Sequence, residues 1–270
     1  MISIILPSLD WLTHICLPGI LEQRTTTHNI IFGEVLLGNI PNSQTIQNSI
    51  FALLDLGLVG YNEAYELQIA LHKEVREGRL MGALILLEHN PVITQGAGAQ
   101  PSNLLAAQNE LEKQGIELVK TDRGGDVTYH GPGQLVGYPI VNLRAIGSDV
   151  HGFLRLLEEI IISVLSDFGI AGSGNGPAGV WVGQKKVCSI GIAVRGGVTY
   201  HGFALNINPN LRHFEFINPC GLSSGQITSL EYLVNPIPDM HDVKNRIIEH
   251  FERGLGLKML RLDPKTLPKE

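Results

Sequence analysis

Cys220, in Ile217-Asn218-Pro219-Cys220-Gly221, and Lys186, in Lys185-Lys186-Val187-Cys188-Ser189-Ile190-Gly191, are a thiol and an amine of the kind that can share a proton. Upstream of both, Arg123-Gly124-Gly125-Asp126-Val127-Thr128-Tyr129-His130-Gly131-Pro132-Gly133-Gln134 joins a fixed cation to a glycine-rich backbone that a ligand can approach closely. A nucleophilic sulfur, an ammonium donor and a glycine loop together suggest acyl transfer.

Length and composition set the outer bounds. The 270 residues suffice for one substantial core, and a 44% hydrophobic, 17% charged composition fits a folded chain and argues against disorder. A formal charge of −6 gives no basis for nucleic-acid binding, which normally needs a basic surface. Cys16, Cys188 and Cys220 cannot all be paired, so they read as reduced thiols of a cytoplasmic protein.

Residues 1–50 carry Arg24 as their one basic residue, against Asp10, Glu22 and Glu34, which fits neither a secretory signal nor an Arg-rich transit peptide. Their apolar runs are too short to span a bilayer, so no membrane role is expected. This segment reads as an N-terminal extension of unknown role, with an overcalled start codon as the plainer alternative. Residues 51–270 read as one domain.

Positioning falls to alternating short elements. Ala52–Leu56 and Ala83–Glu88 read as strands. Asn62–Glu77 reads as a helix with Ala64, Leu67, Leu71 and Val75 on one face. Leu104–Gln114 reads as a helix stopped by Gly115, with strands at Glu117–Lys120 and Leu135–Asn142 flanking the glycine loop. Asp149 caps a helix from Val150 to Phe168, and Asp239 caps a last one reaching about Gly254. Val180–Val182, Lys186–Val194 and Thr199–Asn208 form a meander, with Arg195-Gly196-Gly197 as a hairpin turn. Hairpins mixed with helices predict an α+β fold rather than a doubly wound parallel sheet.

Five blocks carry a family resemblance: residues 123–134, Gly179-Val180-Trp181-Val182-Gly183, Lys186 through Gly191, Tyr200-His201-Gly202-Phe203-Ala204-Leu205-Asn206, and Asn218-Pro219-Cys220-Gly221. In this order they resemble the octanoyltransferases of lipoate biosynthesis, from about Phe51 to near the C-terminus. The resemblance implies a mixed, largely antiparallel sheet flanked by helices, like that of biotin and lipoate protein ligases. It implies transfer of an octanoyl group from octanoyl-acyl carrier protein to a lysine of lipoyl domains, those of 2-oxoacid dehydrogenase complexes and the glycine cleavage H protein. It makes Cys220 the acyl acceptor and Lys186 its acid/base partner. Substrate contacts are implied from Arg123, Gly124, Gly125, Asp126, Val127, Thr128, Tyr129 and His130, from Ser189, Ile190 and Gly191, and from His201, Gly202 and Phe203. No cofactor or metal is implied.

The residue types suit that chemistry. A free cysteine, with a pKa of about 8.5, is mostly protonated at neutral pH. An ammonium about 4 Å away at an effective dielectric of about 20 would favour the thiolate by roughly 4 kcal/mol. Alternatively the pair rests neutral, and the lysine takes the thiol proton directly. The donor is already an activated thioester and the product a more stable amide, so neither ATP nor a metal is required. The oxyanions would be held by backbone N–H groups near Gly191 and Cys220.

Plainer readings stand beside these. Cys188 reads as a small buried hydrophobe. His130 lines an acyl tunnel or holds its loop by a hydrogen bond, with proton transfer as the alternative role, and His201 more readily orients backbone than reacts. Arg123 binds a partner's anion, or else forks to nearby carbonyls. Asp122 and Asp126 read as loop or capping residues. Gly172-Ser173-Gly174-Asn175-Gly176 resembles a phosphate loop only superficially, because it follows a helix and precedes a strand. The spacing of Cys188, His201, His213 and Cys220 does not match a zinc module. An ATP-dependent ligase of the same fold and a noncatalytic acyl-binding module are the competing functions. Because carrier and lipoyl domains are usually acidic while residues 51–270 carry 19 basic and 23 acidic residues, a local positive face is expected around Lys120, Arg123, Lys185 and Arg195.

Overall fold

The computed structural model describes residues 50–219 and 224–263. Apart from Ile50, the expected extension over residues 1–50 lies outside them, as does Cys220. Strand β1 (Phe51–Val59) leads into helix α1 (Tyr61–Arg76), then β2 (Gly82–His89) and β3 (Val92–Gln95). Helix α2 (Gln108–Lys113), β4 (Glu117–Lys120), β5 (Val127–His130) and β6 (Gln134–Val141) follow. Helix α3 (Val150–Asp167) precedes the meander β7 (Gly179–Val182), β8 (Lys185–Arg195) and β9 (Val198–Asn206). Helix α4 (Met240–Leu255) and the short β10 (Met259–Arg261) complete the order.

The main sheet runs β10-β1-β2-β6-β9-β8-β7. β10 and β2 both pair parallel to β1, and the remaining neighbours pair antiparallel. The fold is therefore α+β with a mixed, largely antiparallel sheet. β6 is buried along its whole length, as expected of a central strand covered on both faces. One covering is α1, whose Ala64, Leu67, Leu71 and Val75 meet Leu54, Ile85 and Val136. The other is α3 with α4, whose Phe153, Leu157, Ile161, Ile247 and Phe251 meet Leu84, Leu135 and Leu205.

Local chemistry sets the ends of these elements. Asp149 caps α3 by accepting from Gly152 N at 2.6 Å, and Asp239 caps α4 by accepting from His241 N at 2.7 Å. Gly196 and Gly197 both take positive φ (59° and 83°), the signature of the two-residue turn whose twist matches a β-hairpin, and they join β8 to β9.

A smaller sheet, β4-β3-β5, carries the glycine motif. Its strand β5 makes the second half of that motif regular structure rather than loop. The helix expected over Leu104–Gln114 is confined to Gln108–Lys113. The residues before it are claimed by tertiary pairing: Leu104 bridges Ile217, and the Leu105 and Ala106 amides donate to the Phe216 carbonyl. β9 stops at Asn206 rather than Asn208 because the Ile207 and Asn208 amides turn to the Gly133 carbonyl.

Candidate active site

β8, β9 and the glycine loop enclose a cavity of about 260 Å³. β8 lines it with Lys186, Ser189, Ile190, Gly191 and Ile192, and β9 with His201, Gly202, Phe203 and Ala204. The loop before β5 adds Arg123, Gly124 and Gly125, and β5 itself Thr128 and His130. Strand alternation explains which members of the motif reach it. Val127 and Tyr129 point instead into a separate apolar cluster with Ile93, Phe214 and Ile217. Asp126 is also absent from the lining. Its carboxylate accepts from the Gln100 and Val127 amides at 3.0 and 2.8 Å and from the Asn103 side chain, holding the loop's shape.

Arg123 is 7% exposed. Its guanidinium donates to Thr94 O and Oγ1 at 2.7 and 2.9 Å and to Gly124 O at 3.1 Å, fastening the loop to β3. Gly124 N donates to Ile192 O at 3.0 Å, which docks the loop on β8. That approach needs glycine at 191, where a Cβ would stand 2.9 Å from Gly124 O.

Burial pushes three histidines, His89, His130 and His201, towards their neutral forms. His89 Nδ1 donates to Val59 O at 3.0 Å, so its Nε2 accepts from Tyr138 Oη at 2.6 Å. Burial pushes His89 down to about 4. Gln134 spends its amide N–H groups on Tyr129 O and Asn206 Oδ1, so its Oε1 accepts from His130 Nδ1 at 2.7 Å. His130 Nε2 is then the lone-pair nitrogen, and burial, reinforced by neighbouring His89, pushes this ring down to about 3. His201 sits at φ 56°, a left-handed backbone that side chains rarely adopt. Its amide donates to Gln68 Oε1 at 2.7 Å and its Nε2 to Asp122 Oδ1 at 2.9 Å. Burial lowers its pKa despite that carboxylate. Burial also opposes the charge of Asp122, but hydrogen bonds from Tyr200 and His201 outweigh it and hold the carboxyl below its usual range.

Lys186 is 4% exposed. Its Nζ donates to Ala178 O at 2.9 Å and lies 5.3 Å from the centroid of the Trp181 ring. Its stem passes so close to Gly179 (φ 136°) that a Cβ there would stand 3.0 Å from Lys186 Cε and 2.3 Å from Cys188 O. The Lys186 carbonyl accepts from Thr228 N at 2.9 Å, and Pro219, the residue before Cys220, lines the same cavity. The limb that follows residues 220–223 is thus bonded to Lys186, and the limb that precedes them is held through Asn218 N, which donates to Asn103 O at 2.8 Å. Cys188, by contrast, is fully buried, and burial pushes its thiol up to about 12.

Pro219, from the fifth motif block, also lines the cavity, as do Tyr61, Tyr138, Val150, Leu154, Pro177 and Ala178, which no motif block contained. Tyr61 begins α1 and Tyr138 lies on β6, and both are buried. Among the described residues, no group of three His, Cys, Asp or Glu side chains is placed to hold a metal ion, and no helix is long and apolar enough to cross a membrane.

The family described as "Lipoyl protein ligase A/B catalytic domain" matches residues 60–252. The chain is 43% identical to an octanoyltransferase of Alkaliphilus metalliredigens over 201 residues, 74% of this chain and 92% of that protein. It is 46% identical to an octanoyltransferase of Geotalea uraniireducens over 201 residues, 74% of this chain and 91% of that one. The chain belongs to the octanoyltransferase family. It is accordingly an enzyme of the acyltransferase class. Solved structures share this fold at low identity. A lipoate-protein ligase A bound with ATP superimposes with a TM-score of 0.62 at 16% identity, covering 80% of this chain and 88% of that one. A bi-partite lipoate protein ligase from Thermoplasma acidophilum gives 0.61 at 16%, covering 80% and 87%.

Proposed function

We propose that residues 51–270 form a catalytic domain that moves an octanoyl group from octanoyl-acyl carrier protein to a lysine of lipoyl domains, through a thioester on Cys220. The acceptors are the lipoyl domains of 2-oxoacid dehydrogenase complexes and the glycine cleavage H protein. The observation that carries this reading is the burial of Lys186 in a cavity it shares with Pro219, next in sequence to Cys220. Identity of 43–46% to proteins named octanoyltransferase supplies the acyl group.

In the first half-reaction Lys186 takes the Cys220 proton and the thiolate attacks the donor thioester. A new C–S bond forms, the carrier's sulfur leaves, and Lys186 returns the proton to it. In the second, the acceptor amine attacks the Cys220 thioester. An amide forms, the proton shed by the amine passes through Lys186, and the Cys220 thiol is restored. The donor is already activated, so the transfer consumes no ATP. Substrate contacts fall to Arg123, Gly124, Gly125, Thr128, His130, Ser189, Ile190, Gly191, His201, Gly202 and Phe203.

Intact-mass measurement after mixing the protein with octanoyl-acyl carrier protein, without ATP, tests the reading. A covalent octanoyl increment is expected on the wild type and absent from Cys220→Ser. An increment that persists in Cys220→Ser, or that needs ATP, overturns the thioester mechanism.

A further inference from the structure

A second concavity, of about 200 Å³, lies where the C-terminal half of α1 meets the β8–β9 hairpin, lined by Lys73, Arg76, Arg195, His72 and Tyr200 among others. α1 clasps the hairpin there: His72 Nε2 donates to Arg195 O at 3.0 Å, and a Cβ on Gly196 would stand 3.2 Å from Arg76 Cδ. Arg195 is 61% exposed at its side chain and lies across the Tyr200 ring, 5.8 Å from its centroid. Asp122, outside the lining, lies 3.5 Å from the Arg195 guanidinium and already accepts from Tyr200 Oη at 2.6 Å. Nearby Glu74 and Glu77 are spent on Arg79, and among the described residues neither Lys73 nor Arg76 is ion-paired with a carboxylate. A chain of net charge −6 thus gathers three cations around one cleft.

We infer that this cleft is the docking surface for the acidic carrier protein that delivers the acyl thioester, an inference that rests on the proposed function above. Charge complementarity selects an acidic partner. Geometry selects the donor over the acceptor. Arg195 lies nine residues along β8 from Lys186, about 30 Å of extended strand. A lysine side chain is short, so an acceptor domain must seat its surface directly against the reacting sulfur. A carrier protein holds its acyl group on a long flexible arm, so its body can dock far from the reaction. The cleft also adjoins the cavity: Tyr200 lines the cleft and His201 the cavity, and Asp122, which accepts from both, precedes Arg123, Gly124 and Gly125 of the cavity lining. An arm from a carrier seated on Lys73, Arg76 and Arg195 would pass over those residues toward Lys186.

The test is the charge-reversed double variant Lys73→Glu/Arg76→Glu, whose side chains lie outside the reaction cavity. Acyl carrier protein is titrated against it and the wild type, and octanoyl transfer is assayed with octanoyl-carrier protein and with octanoyl-pantetheine, which lacks the protein. The variant is expected to raise Kd and donor KM for the carrier at least about tenfold. Its rates with octanoyl-pantetheine, and its KM for the lipoyl-domain acceptor, should match the wild type. Unchanged carrier affinity overturns the assignment, as does a loss that appears equally with both donors or in the acceptor's KM. If the wild type accepts octanoyl from neither donor, the proposed function fails instead, and the titration still decides the docking surface.

Discussion

Tyr200 and His201 are consecutive on one strand, yet both hydrogen-bond the same carboxylate, Asp122, through its opposite oxygens at 2.6 and 2.9 Å. Regular extended backbone would send them to opposite faces of the sheet. The left-handed φ of 56° at His201 breaks the alternation and turns both toward α1, where Tyr65 stacks on His201 at 5.6 Å. Backbone strain of this kind costs of order 1–3 kcal/mol and persists only where surrounding bonds hold it.

Asp122→Ala should therefore destabilise the fold, because the buried Tyr200 and His201 donors lose their acceptor at about 1–3 kcal/mol each. Urea unfolding should show the loss. The folded pKa of Asp122 lies below its ordinary value, so its contribution is fully present above the unfolded pKa of about 4 and fades as pH falls below that. The gap between wild type and Asp122→Ala should then shrink from pH 5 toward pH 3. A constant gap would refute the assignment.

The neutral histidines predict the opposite end of the acid range. His89 and His130 fall to about 4 and about 3 in the fold, against about 6.5 unfolded. The unfolded chain therefore binds more protons below pH 6.5, and stability drops as pH falls from there toward about 4. Two such groups give a limiting slope of about 2.7 kcal/mol per pH unit. Unfolding at pH 5 should take up roughly two protons or more, measurable from the pH dependence of the urea midpoint. A midpoint flat between pH 7 and 5 would contradict the buried, uncharged state.

Gly191→Ala tests the loop-to-strand contact. The added methyl meets the Gly124 carbonyl at 2.9 Å and should push the glycine loop off β8, breaking the Gly124–Ile192 bond. Octanoyl transfer should fall by about 10²-fold, as misplacements of about 1 Å do, with the circular dichroism spectrum unchanged.

Lys186→Met keeps much of the buried stem and removes the amine that donates to Ala178 O. Formation of the acyl-enzyme should slow by about 10²–10⁴-fold while the thermal midpoint moves little. Full activity in this variant would exclude Lys186 as the acid/base group.

The main elements were legible because each carried its own local signal. Apolar spacing gave α1, Asp149 began α3, Asp239 began α4, and Arg195-Gly196-Gly197 marked the hairpin. β3 and β10 carried no such signal and form through pairing, β3 between β4 and β5 and β10 along β1. The motif blocks located the cavity, but block membership does not say which way a side chain faces. Pairing with β3 made 127–130 a strand, and its alternation turned Val127 and Tyr129 away. Asp122 and His201 lie 79 positions apart, and nothing in either neighbourhood announces the other.

The Nδ1-protonated form of His130 has a consequence for what the cavity can hold. An imidazolium there would keep a tightly bound hydration shell, and displacing that water with a hydrocarbon tail would cost far more than displacing it from a neutral ring. By staying uncharged well into acidic conditions, this wall would let the chamber dry around the acyl chain of the proposed reaction across the whole physiological range.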